Sequence, residues 1–266
     1  MRYIGDEEAK LLMLEILKDI ACYCNENNMH YYLAYGTLLG AIRHNGFIPW
    51  DNDIDIWMPR PDYESFRKLV RAKPIASNIR VLDPQIDDTF PFIKVIDSRT
   101  ILREDYLVTE KNLGVYVDIF ALDGLPDDDK IIDQIISKAN NLNKAYALAS
   151  YRFNTGSSKR NKVLKNLFFP FSRILMSRKT INKKLDCLCE GYNYTTSTYV
   201  GNLLWPNKKR ECLKKEWFKG ATHKFEGYDF SIPDGYDKIL SHYYGNYMQL
   251  PPDEDRVTHC FRAHWR

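Results

Sequence analysis

No stretch of the sequence reaches the roughly 18 consecutive apolar residues that a membrane-spanning helix requires, so a transmembrane protein is not expected. The N-terminus, Met1-Arg2-Tyr3-Ile4-Gly5-Asp6-Glu7-Glu8, lacks the basic start and apolar centre of a secretion signal, which predicts a cytoplasmic protein. Cysteine is scarce: Cys22, Cys24, Cys187, Cys189, Cys212 and Cys260. The two Cys-x-Cys pairs lack the wider pair spacing of zinc sites, and in the helical pattern around Cys187 and Cys189 positions i and i+2 point apart. Scattered, reduced thiols are expected. Net charge is small as well, +3 from 38 Lys+Arg against 35 Asp+Glu, which argues against a dedicated nucleic-acid binder. No repeat or low-complexity segment interrupts the 266 residues.

One absence is local. Between Gln134 and Leu185 there is no Asp or Glu, while twelve basic residues fall there, from Lys138 to Lys184. The remaining 26 basic and 35 acidic residues leave the rest of the chain at −9. An acidic body with a basic insert suggests an anionic partner at one place only.

What is present reads as α+β. Asp6 to Cys24 has the spacing of an amphipathic helix, with Ala9, Leu12, Met13, Ile16, Leu17 and Ile20 on one face. His30 to Tyr35 predicts a short strand running into Gly36-Thr37, and Leu38 to Arg43 a helical turn or two broken at Asn45-Gly46. Asp53 to Trp57 alternates as a strand, and a helix starts at Pro61-Asp62. Further strands are expected over Ile79 to Leu82, Phe90 to Ile96 and Val115 to Phe120, and a helix over Ile131 to Tyr151. Residues 161–185 predict a basic helix kinked at Pro170, whose apolar stripe includes Leu164, Leu167, Phe168 and Phe171. A last helix lies near Tyr236 to Tyr243. The expected organisation is a catalytic core over 1–130, a basic helical region over 131–190, and a C-terminal region over 191–266 that completes the cleft.

The chemistry concentrates in Trp50-Asp51-Asn52-Asp53-Ile54-Asp55-Ile56. On a strand, Asp53 and Asp55 project from one face with Cα atoms about 6.5–7 Å apart, and Ile54 and Ile56 anchor the other face. Two such carboxylates repel unless a cation lies between them, and hard oxygen donors at this spacing suit Mg2+ or Mn2+. Gly36-Thr37 at a helix start offers backbone N–H groups and a hydroxyl to a phosphate, and Gly36 and Gly40 read as positions of close backbone approach. Asp118, inside the apolar run Val115-Tyr116-Val117-Asp118-Ile119-Phe120, is a charge that needs a partner or a metal. It supplies a third carboxylate for a two-metal phosphoryl-transfer site, or a general base toward an acceptor hydroxyl.

The segment Tyr35-Gly36-Thr37-Leu38-Leu39-Gly40-Ala41-Ile42-Arg43-His44, followed by Gly46-Phe47-Ile48-Pro49-Trp50-Asp51-Asn52-Asp53-Ile54-Asp55, resembles the signature of the LicD family. That family includes bacterial phosphocholine transferases, is related to fukutin-type transferases, and belongs to the nucleotidyltransferase-fold superfamily. Tyr244-Gly245-Asn246-Tyr247-Met248, Leu250-Pro251-Pro252, Arg256 and His259 resemble its C-terminal ending. The resemblance implies a nucleotidyltransferase-like mixed sheet and transfer of a substituted phosphate, such as phosphocholine from CDP-choline, to a hydroxyl of a surface glycan or its lipid-linked precursor, with CMP leaving. By position it makes Asp53 and Asp55 metal ligands, with Asp51 beside them and Asp118 as the third acid. Asp123, ahead of Gly124-Leu125-Pro126, reads instead as a turn acid. Asn52 stands where many members carry an acid.

Lys94 falls inside an apolar strand, where it either meets a pyrophosphate or lays its stem along the sheet. Arg43, Arg99, Arg256 and His259 are further candidates for holding the donor. Trp50 and Pro49 read as stiffeners of the acidic segment. The tail is dense in aromatics (Trp205, Trp217, Tyr228, Tyr236, Tyr243, Tyr244, Tyr247, Trp265), as a core or a quaternary-ammonium site would be. The basic helix, 159–184, suits peripheral contact with an anionic membrane. The competing functions are a nucleotidyltransferase that releases pyrophosphate and a non-catalytic glycan- or membrane-binding protein.

Overall fold

The computed structural model describes residues 2–87, 90–104, 113–150, 177–206, 211–256 and 261–266. Its architecture is α+β. After a short strand β1 (Tyr3–Ile4), the amphipathic pattern forms α1 (Asp6–Glu26), with Asp6, Glu7 and Glu8 in the first turn where the helix dipole favours negative charge. The expected stripe of α1 faces inward, and the helix packs against the sheet.

Next come β2 (Tyr32–Leu33), α2 (Tyr35–His44), β3 (Asp55–Pro59) and α3 (Arg60–Ala72). Helix α2 ends at Asn45, whose left-handed φ of 55° closes it, as the Asn-Gly pair predicts. Strand β2 is shorter than expected because Tyr35 already turns the chain, at φ 42°, into α2. Then follow β4 (Ile79–Leu82), β5 (Ile93–Asp97), β6 (Thr100–Glu104), β7 (Tyr116–Leu125) and α4 (Asp129–Ser150). Helix α5 (Arg178–Cys189) starts at Ser177, whose Oγ accepts from the Thr180 N–H. The C-terminal part supplies β8 (Tyr199–Gly201), β9 (Leu213–Lys214), β10 (Ala221–Phe225), β11 (Tyr228–Ile232), α6 (Tyr236–Tyr244) and β12 (Phe261–Trp265).

Among the described residues the main sheet runs β2-β3-β7-β5-β4, with β8 and β9 continuing from the far end of β7. β3 and β7 are parallel and the remaining pairs antiparallel, giving a mixed sheet. Ile54 and Ile56 are fully buried, as the alternation implies, but so are Trp57 and Met58, so beyond Asp55 both faces of β3 are covered. A second sheet joins the chain ends, with β12 between β1 and β6. β6 was not expected from sequence: its partner strand lies more than 150 residues away, and Thr100 to Glu104 carries little local signal.

Most of the basic helix expected over 161–185, including Pro170 and its apolar stripe, lies outside the described residues. Its described end, α5, buries Ile181, Leu185 and Cys189 and exposes Lys179, Lys183 and Lys184. Cys187 is exposed and Cys189 buried on that helix, and the described cysteines are free thiols. Among the described residues no helix is long and apolar enough to cross a membrane.

Candidate active site

The entry of the chain into α2 sets the geometry. Ala34 N–H donates to Asp55 O at 3.0 Å, tying the end of β2 to the start of β3. The first turn of α2, Gly36 and Thr37, therefore lies over the acidic segment. The Thr37 hydroxyl accepts from the Asp55 N–H at 2.9 Å. A Cβ on Gly36 would lie 2.5 Å from Asp51 Oδ2, so glycine is what lets the carboxylate rest against the helix backbone. Gly40 makes the other expected close approach, to the carbonyl of Gly46. Thr37 thus positions a strand in this structure, a role distinct from the phosphate contact expected of it.

Asp53 precedes β3, which begins at Asp55, so the acidic segment is only partly strand. Asp51 and Asp53 are close enough to share a hydrogen bond. The parallel register of β3 and β7 sets Asp55 beside Asp118, and the antiparallel register of β5 and β7 sets Lys94 on the other side of Asp118. Directly paired residues project from the same face. Lys94 Nζ reaches both Asp118 oxygens, at 2.6 and 2.8 Å. The lysine is only 2% exposed, and its ammonium lies 3.5 Å from the Tyr116 ring centroid and 4.3 Å from that of Phe90.

Burial holds the Asp55 carboxyl well above the usual carboxylate range, and the charges of Asp53, Asp118 and Asp51 push it further, against the opposing pull of Lys94. Burial also raises Asp51, offset by its hydrogen bonds with Asp53 and the Asn52 N–H and by the charge of Lys10. The Tyr244 hydroxyl is raised by desolvation and then by the field of Asp55, Asp51 and Asp53, which places this tail residue beside the carboxylates.

A cleft of about 590 Å³ opens here, its walls including Gly36, Arg43, Trp50, Asp51, Tyr244 and Tyr247. Arg43 donates from Nη1 to the Tyr247 carbonyl at 2.8 Å and from Nε to His44 Nε2 at 2.9 Å. Arg256 stacks over Trp50, 4.7 Å from the ring centroid, while donating to the Pro251 carbonyl and pairing with Asp253. Trp50, expected only to stiffen the segment, is a wall of the cleft. Of the aromatic-rich tail, Tyr244 and Tyr247 face the cleft and Tyr243 belongs to the core. Arg99 is forked on Asp97 and lies 5.5 Å from the Trp265 ring, so its contacts are not with the carboxylates. His259 lies outside the described residues.

Among the described residues no group of three or more His, Cys, Asp or Glu side chains is gathered as a ready metal site. The donors nevertheless suit a hard divalent cation: all are carboxylate oxygens, and Asp55 is crowded by three other acids.

Two features escaped the sequence reading. Glu211, fully buried, accepts from Tyr243 Oη at 2.6 Å and Tyr35 Oη at 3.2 Å, and Asn202 Nδ2 donates to Tyr35 Oη. This network ties α6, which carries Tyr244, to the start of α2. Standing after Lys208-Lys209-Arg210, Glu211 looks like a solvated charge, and no local signal marks it. Asp123 is not a turn acid: it is buried within β7 and accepts from Arg60 Nε at 2.5 Å, because β7 continues through the Gly124-Leu125 pair to meet β8.

Residues 28–146 match the family model described as LicD/FKTN/FKRP, nucleotidyltransferase domain. Over 264 residues, 97% of each chain, the sequence is 31% identical to the lipopolysaccharide cholinephosphotransferase LicD of Haemophilus influenzae. It is 29% identical over 138 residues, 47% of each chain, to an uncharacterised protein of Rickettsia prowazekii. An uncharacterised protein of Rickettsia typhi is 38% identical over 69 residues, 26% of this chain and 22% of that one. A likeness that runs almost the full length of the chain, with the Gly36-Thr37 turn and the acidic segment inside the matched domain, makes this protein a member of the LicD family.

Proposed function

We propose that this chain transfers a substituted phosphate, phosphocholine or a close relative, from a CDP-linked donor to a hydroxyl of a cell-surface glycan or its lipid-linked precursor. The observation that carries this reading is the row of Asp55 and Asp118 on neighbouring strands, with Asp51 in the wall of the cleft. The name of the Haemophilus relative, a lipopolysaccharide cholinephosphotransferase, supports the head group and acceptor class.

In this reading Asp53 and Asp55, with Asp51 beside them, hold Mg2+ or Mn2+. The bound cation would supply charge neutralisation for the donor's phosphates. Arg43 and Arg256 hold the donor in the cleft, the latter with Trp50. The acceptor oxygen attacks the phosphorus that bears the choline, the bond to the bridging oxygen breaks, and CMP leaves with that oxygen. Asp118, the third acid of the row, takes the acceptor's proton on a carboxylate oxygen. The Glu211 network keeps Tyr244 against the carboxylates. The basic residues of 159–184 would hold the enzyme near an anionic membrane carrying the acceptor. Absence of binding to anionic liposomes at low salt would refute that last part alone.

The test is incubation of folded protein with CDP-choline, Mg2+ and lipopolysaccharide. CMP release that EDTA abolishes is the expected result. Release of pyrophosphate from a nucleoside triphosphate instead would favour nucleotidyl transfer. Turnover retained in Asp53→Ala and Asp55→Ala would overturn any metal-assisted reading.

A further inference from the structure

The third acid of the row already has a cation. Lys94 is buried on β5 with its ammonium bidentate on Asp118, at 2.6 and 2.8 Å. The strand registers put Lys94, Asp118 and Asp55 in one cross-strand line on one face of the sheet. Phe90, Phe92 and Tyr116 surround the ammonium, at 3.5 to 5.1 Å from their ring centroids, so it is enclosed by the sheet and its neighbours. A lysine here is no chance surface pair: burying this charge is tolerable because Asp118 and three ring faces compensate it.

We propose that Lys94 replaces the second metal ion of a two-cation phosphoryl-transfer site. The site then takes one divalent ion, on Asp53 and Asp55, and Asp118 is not a metal ligand. The inference rests on the metal-assisted reading above and goes beyond it in the number of ions and the role of Asp118. Its physical basis is competition for the same oxygens. Both Asp118 oxygens lie at hydrogen-bond distance from the ammonium, and a divalent ion on them would have to displace a lysine that is 2% exposed and leave its charge buried without its carboxylate. A fixed ammonium also supplies positive charge to the acceptor side without an exchangeable ligand.

The experiment counts ions. Full-length protein is saturated with Mn2+ in the presence of CDP-choline and without acceptor, and bound Mn2+ per chain is measured by equilibrium dialysis and native mass spectrometry, against CDP-choline alone as the blank. The expected result is one ion in the wild type and one in Asp118→Asn, with Mn2+ affinity within threefold, and none in Asp53→Asn. Lys94→Met, with the ammonium gone, is expected to take a second ion, and Lys94→Arg to remain at one. Circular dichroism establishes that each variant is folded, and the wild-type count stands even where a variant does not fold. Two ions in the wild type, or a tenfold or greater loss of Mn2+ affinity in folded Asp118→Asn, would overturn the proposal while leaving the metal-assisted reading intact. No protein-bound Mn2+ in the wild type would bring down that reading, and this proposal with it.

Discussion

Gly36→Ala separates the geometry of the site from the stability of the fold. The added methyl would lie 2.5 Å from Asp51 Oδ2, where ordinary contact begins near 3.4 Å. The obstacle is the end of a side chain, so the carboxylate yields, by about 0.9 Å, while the backbone stays. Alanine is the better helix former by up to about 1 kcal/mol, and Gly36 does not occupy the left-handed region, so α2 is not expected to weaken. A displacement of about 1 Å at a reacting centre costs about 100-fold in rate, or roughly 2.7 kcal/mol of transition-state stabilisation. The assay is CMP release from CDP-choline with a lipopolysaccharide acceptor, read beside the thermal unfolding midpoint. Activity within threefold of the wild type, with the midpoint unchanged, would refute the claim that α2 sets the position of Asp51.

Asp123→Asn leaves Arg60 without its buried carboxylate and should cost about 3–5 kcal/mol in urea unfolding; a loss below about 1 kcal/mol would contradict a buried ion pair between α3 and β7. Arg43→Ala, removing a cation from the cleft wall, should raise KM for the donor about tenfold with a smaller change in kcat, whereas an unchanged KM would take Arg43 out of donor binding. Burial pushes the Cys24 thiol up to about 12, so iodoacetamide at pH 8 should label exposed Cys22 and Cys187 well before Cys24 and Cys189 in the native protein. Equal labelling rates by peptide mapping would mean that α1 or α5 is not packed as described.

The elements that could be read in advance are those whose signal is local. The stripe of α1, the Asn45-Gly46 stop of α2 and the last helix near Tyr236 each follow from spacing or capping within a few residues. β6 and β12 pair residues near 100 with residues near 263, and no periodicity within either segment announces the other. The acidic segment was legible as chemistry before it was legible as structure. Asp53, Asp55 and Asp118 could be named as acids that need a cation, yet the neighbour of each depends on strand register. Lys94 shows the difference: its place in an apolar run called for a negative partner, and a phosphate and a carboxylate satisfy that demand equally. Only the β5–β7 register selects Asp118.

That selection changes how the charge of the chain is to be understood. The acidic body carries −9 outside the basic stretch, and four of its acids, Asp51, Asp53, Asp55 and Asp118, lie within electrostatic reach at Asp55. Among the described residues, the charges that act most on the Asp55 carboxyl are Asp53, Asp118 and Asp51, which raise it, and Lys94, which opposes them. Compensation by the protein itself is therefore concentrated at the Asp118 end of the row. At the other end, Asp51 has Lys10 of α1 as its opposing charge. In the proposed one-ion site, a divalent ion would meet Asp51 and Asp55 carboxyls that burial already presses toward their protonated forms, Asp55 also by the charge of its neighbours. Under that proposal the cation would enter from the cleft side, where Asp51 lines the wall, because Lys94 already fills the buried side of the row at Asp118.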